Sequence, residues 1–204
     1  MVKTAVIFYS TYGHCYTMAL SAVEGAKSVH GAEVSLYKVK ETLPLEVLQK
    51  MGADKVAEKW KDVPEINSND LIDKDVVIFI TPTRFGMMCA QMKTFIDSLG
   101  GLWTKDTLVG KVASVMSSSG TQHGGQESTI LSFHTVLLHL GFVLVGLPYS
   151  FKKQFGVEEV KGGSPYGAST IVGDGTRQVS SIEKEAAQYQ AKHATEIGAK
   201  IHHK

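Results

Sequence analysis

The chain has 204 residues, enough for one domain built on a single sizeable core. Its 21 Lys and Arg against 20 Asp and Glu leave a formal charge of +1, which argues against a nucleic-acid protein held by bulk electrostatics and against an acidic shuttle that docks on basic partners. The two cysteines, Cys15 and Cys89, make neither a CxxC nor a zinc spacing, so a reducing compartment is expected.

In chain order, Thr4 to Tyr9 is a nearly unbroken apolar run, as expected of a strand buried on both faces. Ser10 to Cys15 follows, rich in hydroxyls, with one glycine and no Lys or Arg. Met18, Ala19, Ala22, Val23, Ala26 and Val29 then recur at helical spacing. A helix start offers free N–H groups and a positive dipole end, so this loop can receive a phosphate without a basic side chain. Taken alone, it reads equally well as an ordinary turn, with Ser10 as a cap and Gly13 for backbone freedom.

Gly31 is a plausible helix stop, and Glu33 to Val39 alternates polar and apolar, as a strand near a sheet edge does. Glu41 to Asn69 reads as a helical connection with a surface excursion, Leu45, Val47, Leu48 and Met51 marking one short helix. Asp75 to Ile80 is the next buried strand and holds the longest apolar run, far too short to span a bilayer. It enters the turn Thr81–Gly86, followed by a helix carrying Met88, Met92, Phe95, Ile96 and Leu99 and stopped at Gly100-Gly101. Lys111 to Met116 is a strand, Ser117 to Gly125 a loop, Glu127 to Leu140 a helix and Phe142 to Leu147 a fifth strand.

Tyr149 to Val179 is glycine-rich and irregular. Ser180-x-x-Glu183 is a capping box opening a last helix, with Ile182, Ala186, Tyr189, His193 and Ile197 expected inward. The end, Ile201 to Lys204, reads as frayed, its His202-His203 pair a weak metal hint at most. No basic segment followed by a long apolar one opens the chain, so no signal peptide and a cytoplasmic location are expected.

Five strands alternating with helices imply an α/β fold, a parallel sheet of order 2-1-3-4-5 covered on both faces, in one domain over residues 1–204. Such sheets bind ligands beyond the carboxyl ends of the strands, where strands one and three meet. The loops Ser10–Cys15, Thr81–Gly86 and Ser117–Gly125 would converge there. A phosphate-bearing cofactor accounts for that convergence. A dinucleotide fingerprint is missing, because Gly13 stands alone; Gly110-Lys111 is followed by Val112, which breaks a Walker loop; a cysteine phosphatase needs an arginine where Ser21 stands. A mononucleotide fits best.

The motifs Tyr9–His14 (YSTYGH), Thr81–Gly86 (TPTRFG), Gln91–Phe95 (QMKTF), Gly100–Trp103 (GGLW), Ser118–Thr121 (SSGT), Gly124–Glu127 (GGQE) and Gly162–Gly167 (GGSPYG) span nearly the whole chain. Together they resemble the flavodoxin-like FMN proteins, specifically the NAD(P)H:quinone oxidoreductases of the WrbA type. The resemblance implies a three-layer sandwich and an FMN phosphate held by Ser10, Thr11, Tyr12, Gly13, His14 and Cys15. It implies flavin contacts from Thr83, Arg84, Phe85, Ser118, Ser119, Gly120, Thr121 and Gln122, with His139 at a further flavin position. It also implies Tyr12 at the nicotinamide, Trp103 beside the substrate, and a homotetramer with sites at subunit junctions.

The implied chemistry is FMN-dependent two-electron reduction of quinones by NADH or NADPH, with a role in quinone or oxidative stress. One pocket serving both substrates predicts ping-pong kinetics. The rival readings are a one-electron carrier and a non-enzymatic interaction protein. No catalytic side chain, metal or nucleic acid is expected. His139, near the end of an apolar helix, reads from the residues alone as a packed core histidine. Gln122 and His123 lengthen their loop relative to the family's more purely glycine run, and a helix-start thiol such as Cys15 can have a lowered pKa.

Overall fold

Alternate side chains of a strand point to opposite faces, so a strand apolar at every position must be covered on both. In the computed structural model, which describes residues 1–202, β1 (Val2–Phe8) is such a strand from Ala5 onward. Val6 and Phe8 enter one core layer, and Ala5, Ile7 and Tyr9 the other. β3 (Val76–Arg84) and β5 (Val112–Ser119) divide the same way: Ile78 and Met116 on one face, Phe79 and Val115 on the other. β1 pairs parallel with both β2 (Ala32–Lys38) and β3, and β3 parallel with β5. As its alternation predicts, β2 is an edge strand and only partly buried.

Helices α1 (His14–Lys27) and α7 (Ser181–His202) cover the first face. On the second lie α4 (Ala90–Asp97) and α6 (Gln126–His139), whose Met92, Phe95, Ile130 and Phe133 join Phe79. Two short helices, α2 (Leu45–Lys50) and α3 (Ala53–Ala57), build the excursion after β2. A third, α5 (Gly100–Trp103), begins where a stop was expected, because Leu99 continues the right-handed turn with φ −79°. No described helix is long and apolar enough to cross a membrane. His203 lies outside the described residues, and these contain no cluster of His, Cys, Asp or Glu able to hold a metal.

The expected count and order of five strands need correction. Among the described residues the sheet has seven strands, with β2-β1-β3-β5-β6 along the main path. β4 (Met87–Met88) pairs antiparallel with β3, so Thr81–Gly86 is a strand end and hairpin rather than a simple turn. The fifth position is shared between two strands. β6 (Val143–Leu144) pairs with Val112 and Ala113, and β7 (Ser169–Ile171) with Ser117 to Ser119. After Val145 the chain leaves the sheet and returns as β7 alongside the other half of β5. The glycine-rich stretch therefore supplies a strand that local pattern did not reveal.

The inward face of α7 is broader than expected: Ala186 is buried and Ile182, Tyr189 and Ile197 pack against the core, but its centre is a stripe of smaller residues. Buried are Ala186, Ala187, Gln190, Ala191, Ala194 and Gly198, while Tyr189, His193 and Ile197 are only half-buried. Backbone proximity selects the small residues. A Cβ on Gly25 of α1 would stand 2.0 Å from the Gln188 carbonyl oxygen, and one on Gly198 would stand 2.2 Å from Val76 Cγ2. Gly25→Ala is accordingly expected to cost about 1–3 kcal/mol through overpacking, measured by denaturant unfolding. A variant as stable as the parent would show that α1 and α7 can separate at no cost.

Candidate functional site

The carboxyl ends of β1, β3 and β5 lie side by side, Thr81 opposite Ser117 and Pro82 opposite Ser118. Three loops leave this edge and enclose a cavity of about 230 Å³. Ser10, Thr11, Tyr12, His14 and Cys15 line it from the first loop, Pro82, Thr83 and Arg84 from the second, and Ser118, Ser119 and Gly120 from the third. Val172, just past β7, closes it. None of these residues is acidic, so the surface presents hydroxyls, N–H groups and one guanidinium.

α1 starts at this cavity. Gly13, with φ 94°, makes the left-handed turn into the helix. Its N–H donates to Ser10 Oγ at 3.0 Å, so Ser10 braces the loop and does not cap the helix, which has no side-chain cap. The first-turn N–H groups thus remain available to an anion. Ser10, Thr11 and His14 are buried, and Tyr12 stands half-exposed at the mouth. His14 Nε2 lies 2.8 Å from the Arg177 carbonyl oxygen, tying the Ser10–Cys15 loop to the segment before α7.

Arg84 is oriented from two sides: Nη1 donates to the Thr83 carbonyl at 2.9 Å and Nη2 to Thr11 Oγ1 at 3.1 Å. Thr83 Oγ1 accepts from Thr129 Oγ1 at 2.7 Å and from the Gly86 N–H at 3.2 Å, anchoring the hairpin to α6. At the hairpin tip Phe85 is fully exposed and left-handed, φ 54°, and Gly86 follows with φ 80°. Two successive positive φ values give a tight turn at the expense of strain at the non-glycine position.

Cys15 proves inert. Burial pushes its thiol up to about 12, against the opposing contact with Ser118 Oγ at 3.2 Å, so the lowered pKa considered for a helix-start thiol does not arise. Burial pushes Cys89 up as well, against its bond from Thr81.

Several residues stand apart from the cavity. Thr121 and Gln122 are exposed beyond its lining, and Gln122 and His123 border a separate shallow cavity with Gln126 and Leu131. His139 and Trp103 are exposed as well. His139 ends α6, whose start is beside the cavity; fourteen residues at 1.5 Å each put it about 20 Å away. Trp103 follows α4, which runs away from the same edge. Within one chain neither joins the other site residues, and His139 is not a core histidine.

Sequence reasoning missed the clasp that sets Val172 in place. Glu183 is fully buried and accepts from the Gly162, Ile171 and Ser180 N–H groups, Thr170 Oγ1 and Arg177 Nη1. The capping box was legible as Ser180-x-x-Glu183; its long-range partners were not. Burial pushes the Glu183 carboxyl up, but Arg177 and the other donors outweigh it and hold it below its usual value.

Fold and cavity together define a flavodoxin-like α/β protein with an acid-free cradle at the start of α1. Residues 3–156 match the family model of the NADPH-dependent FMN reductases. The chain is 57% identical to the NAD(P)H dehydrogenase (quinone) of Methanosarcina acetivorans, covering 98% of this chain and 99% of that protein. It is 55% identical to the namesake of Aromatoleum aromaticum, covering 98% and 97%. Among solved structures, a WrbA-like flavodoxin from Agrobacterium tumefaciens shares the fold with a TM-score of 0.68 at 19% identity, over 98% of this chain and 99% of that one. The chain belongs to the NADPH-dependent FMN reductase family and, by its likeness to these relatives over nearly its whole length, to the NAD(P)H dehydrogenases (quinone).

Two outcomes test the site. Cys15 should resist a thiol reagent near neutral pH and label only on unfolding; rapid labelling of the folded protein would contradict its burial. For Glu183, the folded pKa lies below the unfolded value of roughly 4.3, so its stabilisation is complete above that pH and is lost as pH falls through the folded value. Glu183→Gln should flatten the acid limb of the stability curve below about pH 4.3, measured by urea unfolding. An unaltered acid limb would remove Glu183 from the clasp.

Proposed function

We propose that the protein reduces quinones to hydroquinones by two electrons, using NADH or NADPH, with FMN as its resident cofactor. The acid-free cradle at the start of α1 carries this reading, because its donor set suits a phosphate dianion. The first-turn N–H groups and the hydroxyls of the Ser10–Cys15 loop would hold the phosphate. The helix dipole alone contributes up to ~2 kcal/mol in a partly buried setting. Thr83, Arg84, Ser118, Ser119 and Gly120 would border the ring system, and exposed Phe85 is free to stack. FMN when bound supplies the two-electron chemistry. The chain's own part is to bind, orient and leave one face open for nicotinamide and quinone in turn, beside Tyr12.

Trp103 and His139, exposed and remote within one chain, would reach a site only on another copy, which favours the homotetramer implied by the resemblance. Delivery of two electrons without release of a one-electron product fits protection against quinone or oxidative stress, in the cytoplasm.

Purified protein is expected to carry flavin absorbance, to oxidise NADH or NADPH with benzoquinone, and to give parallel lines in two-substrate initial-rate plots. Intersecting lines would rule out ping-pong, and protein that neither binds FMN nor oxidises NAD(P)H would be an interaction protein instead. Trp103→Ala should raise the quinone KM about fivefold, the loss of one aromatic contact. Sedimentation should find a tetramer; a monomer with full activity would remove Trp103 and His139 from the site.

A further inference from the structure

The hairpin that carries Arg84 and Phe85 stands at the mouth of the cavity with little packing of its own. Phe85 is fully exposed and left-handed, φ 54°, so its side chain contributes no burial to offset the strain. Besides the bonds of Arg84, the hairpin is held by the first turn of α6. Gly86 and Gly125 meet there: a Cβ on Gly125 would stand 3.1 Å from Gly86 Cα, and one on Gly86 would stand 2.9 Å from Ser128 Oγ. An approach this close leaves the seam to backbone and to one pair of hydroxyls.

That pair is Thr129 and Thr83. Thr129 is fully buried. Its Oγ1 lies 2.7 Å from Thr83 Oγ1 and 2.7 Å from the Gly125 carbonyl oxygen, with the Met87 carbonyl oxygen further off at 3.5 Å. A hydroxyl has one hydrogen, so the two short contacts share it in a three-centre bond that ties α6 to the hairpin. Bonding back to the carbonyl four residues earlier is an ordinary habit of a helical threonine. The bond to Thr83, 46 residues away along the chain, is not.

Thr83 Oγ1 accepts from Thr129 and, at 3.2 Å, from the Gly86 N–H. A hydroxyl oxygen has two lone pairs, and both are then engaged. Among the described residues this oxygen has no further partner, so its own hydrogen remains unspent. Thr83 lines the cavity and can meet a ligand there only as a donor. Its carbonyl oxygen accepts from Arg84 Nη1 at 2.9 Å, so whatever fixes Thr83 also aims the guanidinium.

We propose that Thr129 is a positioning residue of the cofactor site: acting through Thr83, its buried hydroxyl seats the hairpin on α6, aims Arg84 and restricts the Thr83 hydroxyl to donation. The ligand group that meets Thr83 is then a hydrogen-bond acceptor, such as a ring carbonyl or an unprotonated ring nitrogen. The proposal rests on the FMN reading above.

Two substitutions separate the hydroxyl from the space it fills. Thr129→Val keeps the shape of the side chain and removes its oxygen, so Thr83 loses a donor and the hairpin its tie to α6. Thr129→Ser keeps the oxygen and removes a buried methyl group, which lowers stability but spares the bond.

The experiment measures the FMN dissociation constant of apoprotein by fluorescence quenching. It compares the wild type, both Thr129 variants, Thr83→Val and the double variant Thr83→Val with Thr129→Val. Apoprotein unfolding in urea and the midpoint potential of the bound flavin are measured in parallel. Thr129→Val is expected to weaken FMN about three- to tenfold, the loss of one neutral hydrogen bond, and to shift the potential. Thr129→Ser should match the wild type in affinity and potential, although its apoprotein is less stable. The double variant should bind no more weakly than Thr83→Val alone, because Thr129 acts through Thr83. Affinity that tracks apoprotein stability, with serine as damaging as valine, would make Thr129 a structural residue only. Unchanged affinity or potential in Thr129→Val, or losses that add in the double variant, would equally overturn the proposal. A wild type that fails to bind FMN would overturn the cofactor reading on which it rests.

Discussion

The parallel pairing of β1 with β3 and of β3 with β5 is the constraint from which the site follows. Each strand is buried along nearly its whole length, as strands in the middle of a sheet covered on both faces are. Parallel neighbours require crossovers, the crossovers are helices, and all three strands then end at the same edge. Three loops rich in hydroxyls and glycine meet there because the backbone hydrogen bonds of their strands leave no other arrangement. The cradle is thus a product of sheet register before any side chain contributes to it.

Its electrostatics are correspondingly spare. No Lys lines the cavity and no carboxylate does. Positive potential comes from the start of α1 and from one guanidinium, itself fixed by Thr83 and Thr11. A cradle with a single fixed positive charge and no carboxylate would suit the phosphate of a cofactor that stays bound while charged substrates come and go, as the proposed function requires. Carboxylates are kept just behind this surface: Glu41 behind the Ser10–Cys15 loop, and Glu183 behind β7. Each is partly or fully buried, satisfied by several donors and used to hold backbone in place. In both cases the donors outweigh the cost of burial, so the charge is kept and the loop it organises is fixed.

The split fifth strand shows how the cradle acquired its last wall. By leaving the sheet after Val145 and returning at Ser169, the chain places Val172 against the cavity and Arg177 against His14. The segment between has little apolar pattern of its own. It depends on Glu183 and Arg177, and so on the position of α7, whose close approach to α1 needs glycine at 25. Packing on the face of the sheet opposite α4 and α6 thereby reaches the functional edge.

Local pattern was sufficient for much of this protein. Largely apolar runs marked β1 and β3, a shorter mixed run marked β5, alternation marked the edge strand β2, and the residues that line the cavity from Ser10 to Gly120 were legible as hydroxyl- and glycine-rich strand ends. These features depend on neighbours a few residues away, so the sequence by itself determined them. It could not determine the second half of the fifth sheet position, because Ser169–Ile171 is too short to carry a period and is made a strand by β5. Nor could it set the inward face of α7, which is decided by the closeness of α1 rather than by hydrophobicity. The remoteness of Trp103 and His139, and the partners of Glu41 and Glu183, belong to the same class. They join residues tens of positions apart, and only the folded chain, through its register and helix packing, brings such groups together or keeps them apart.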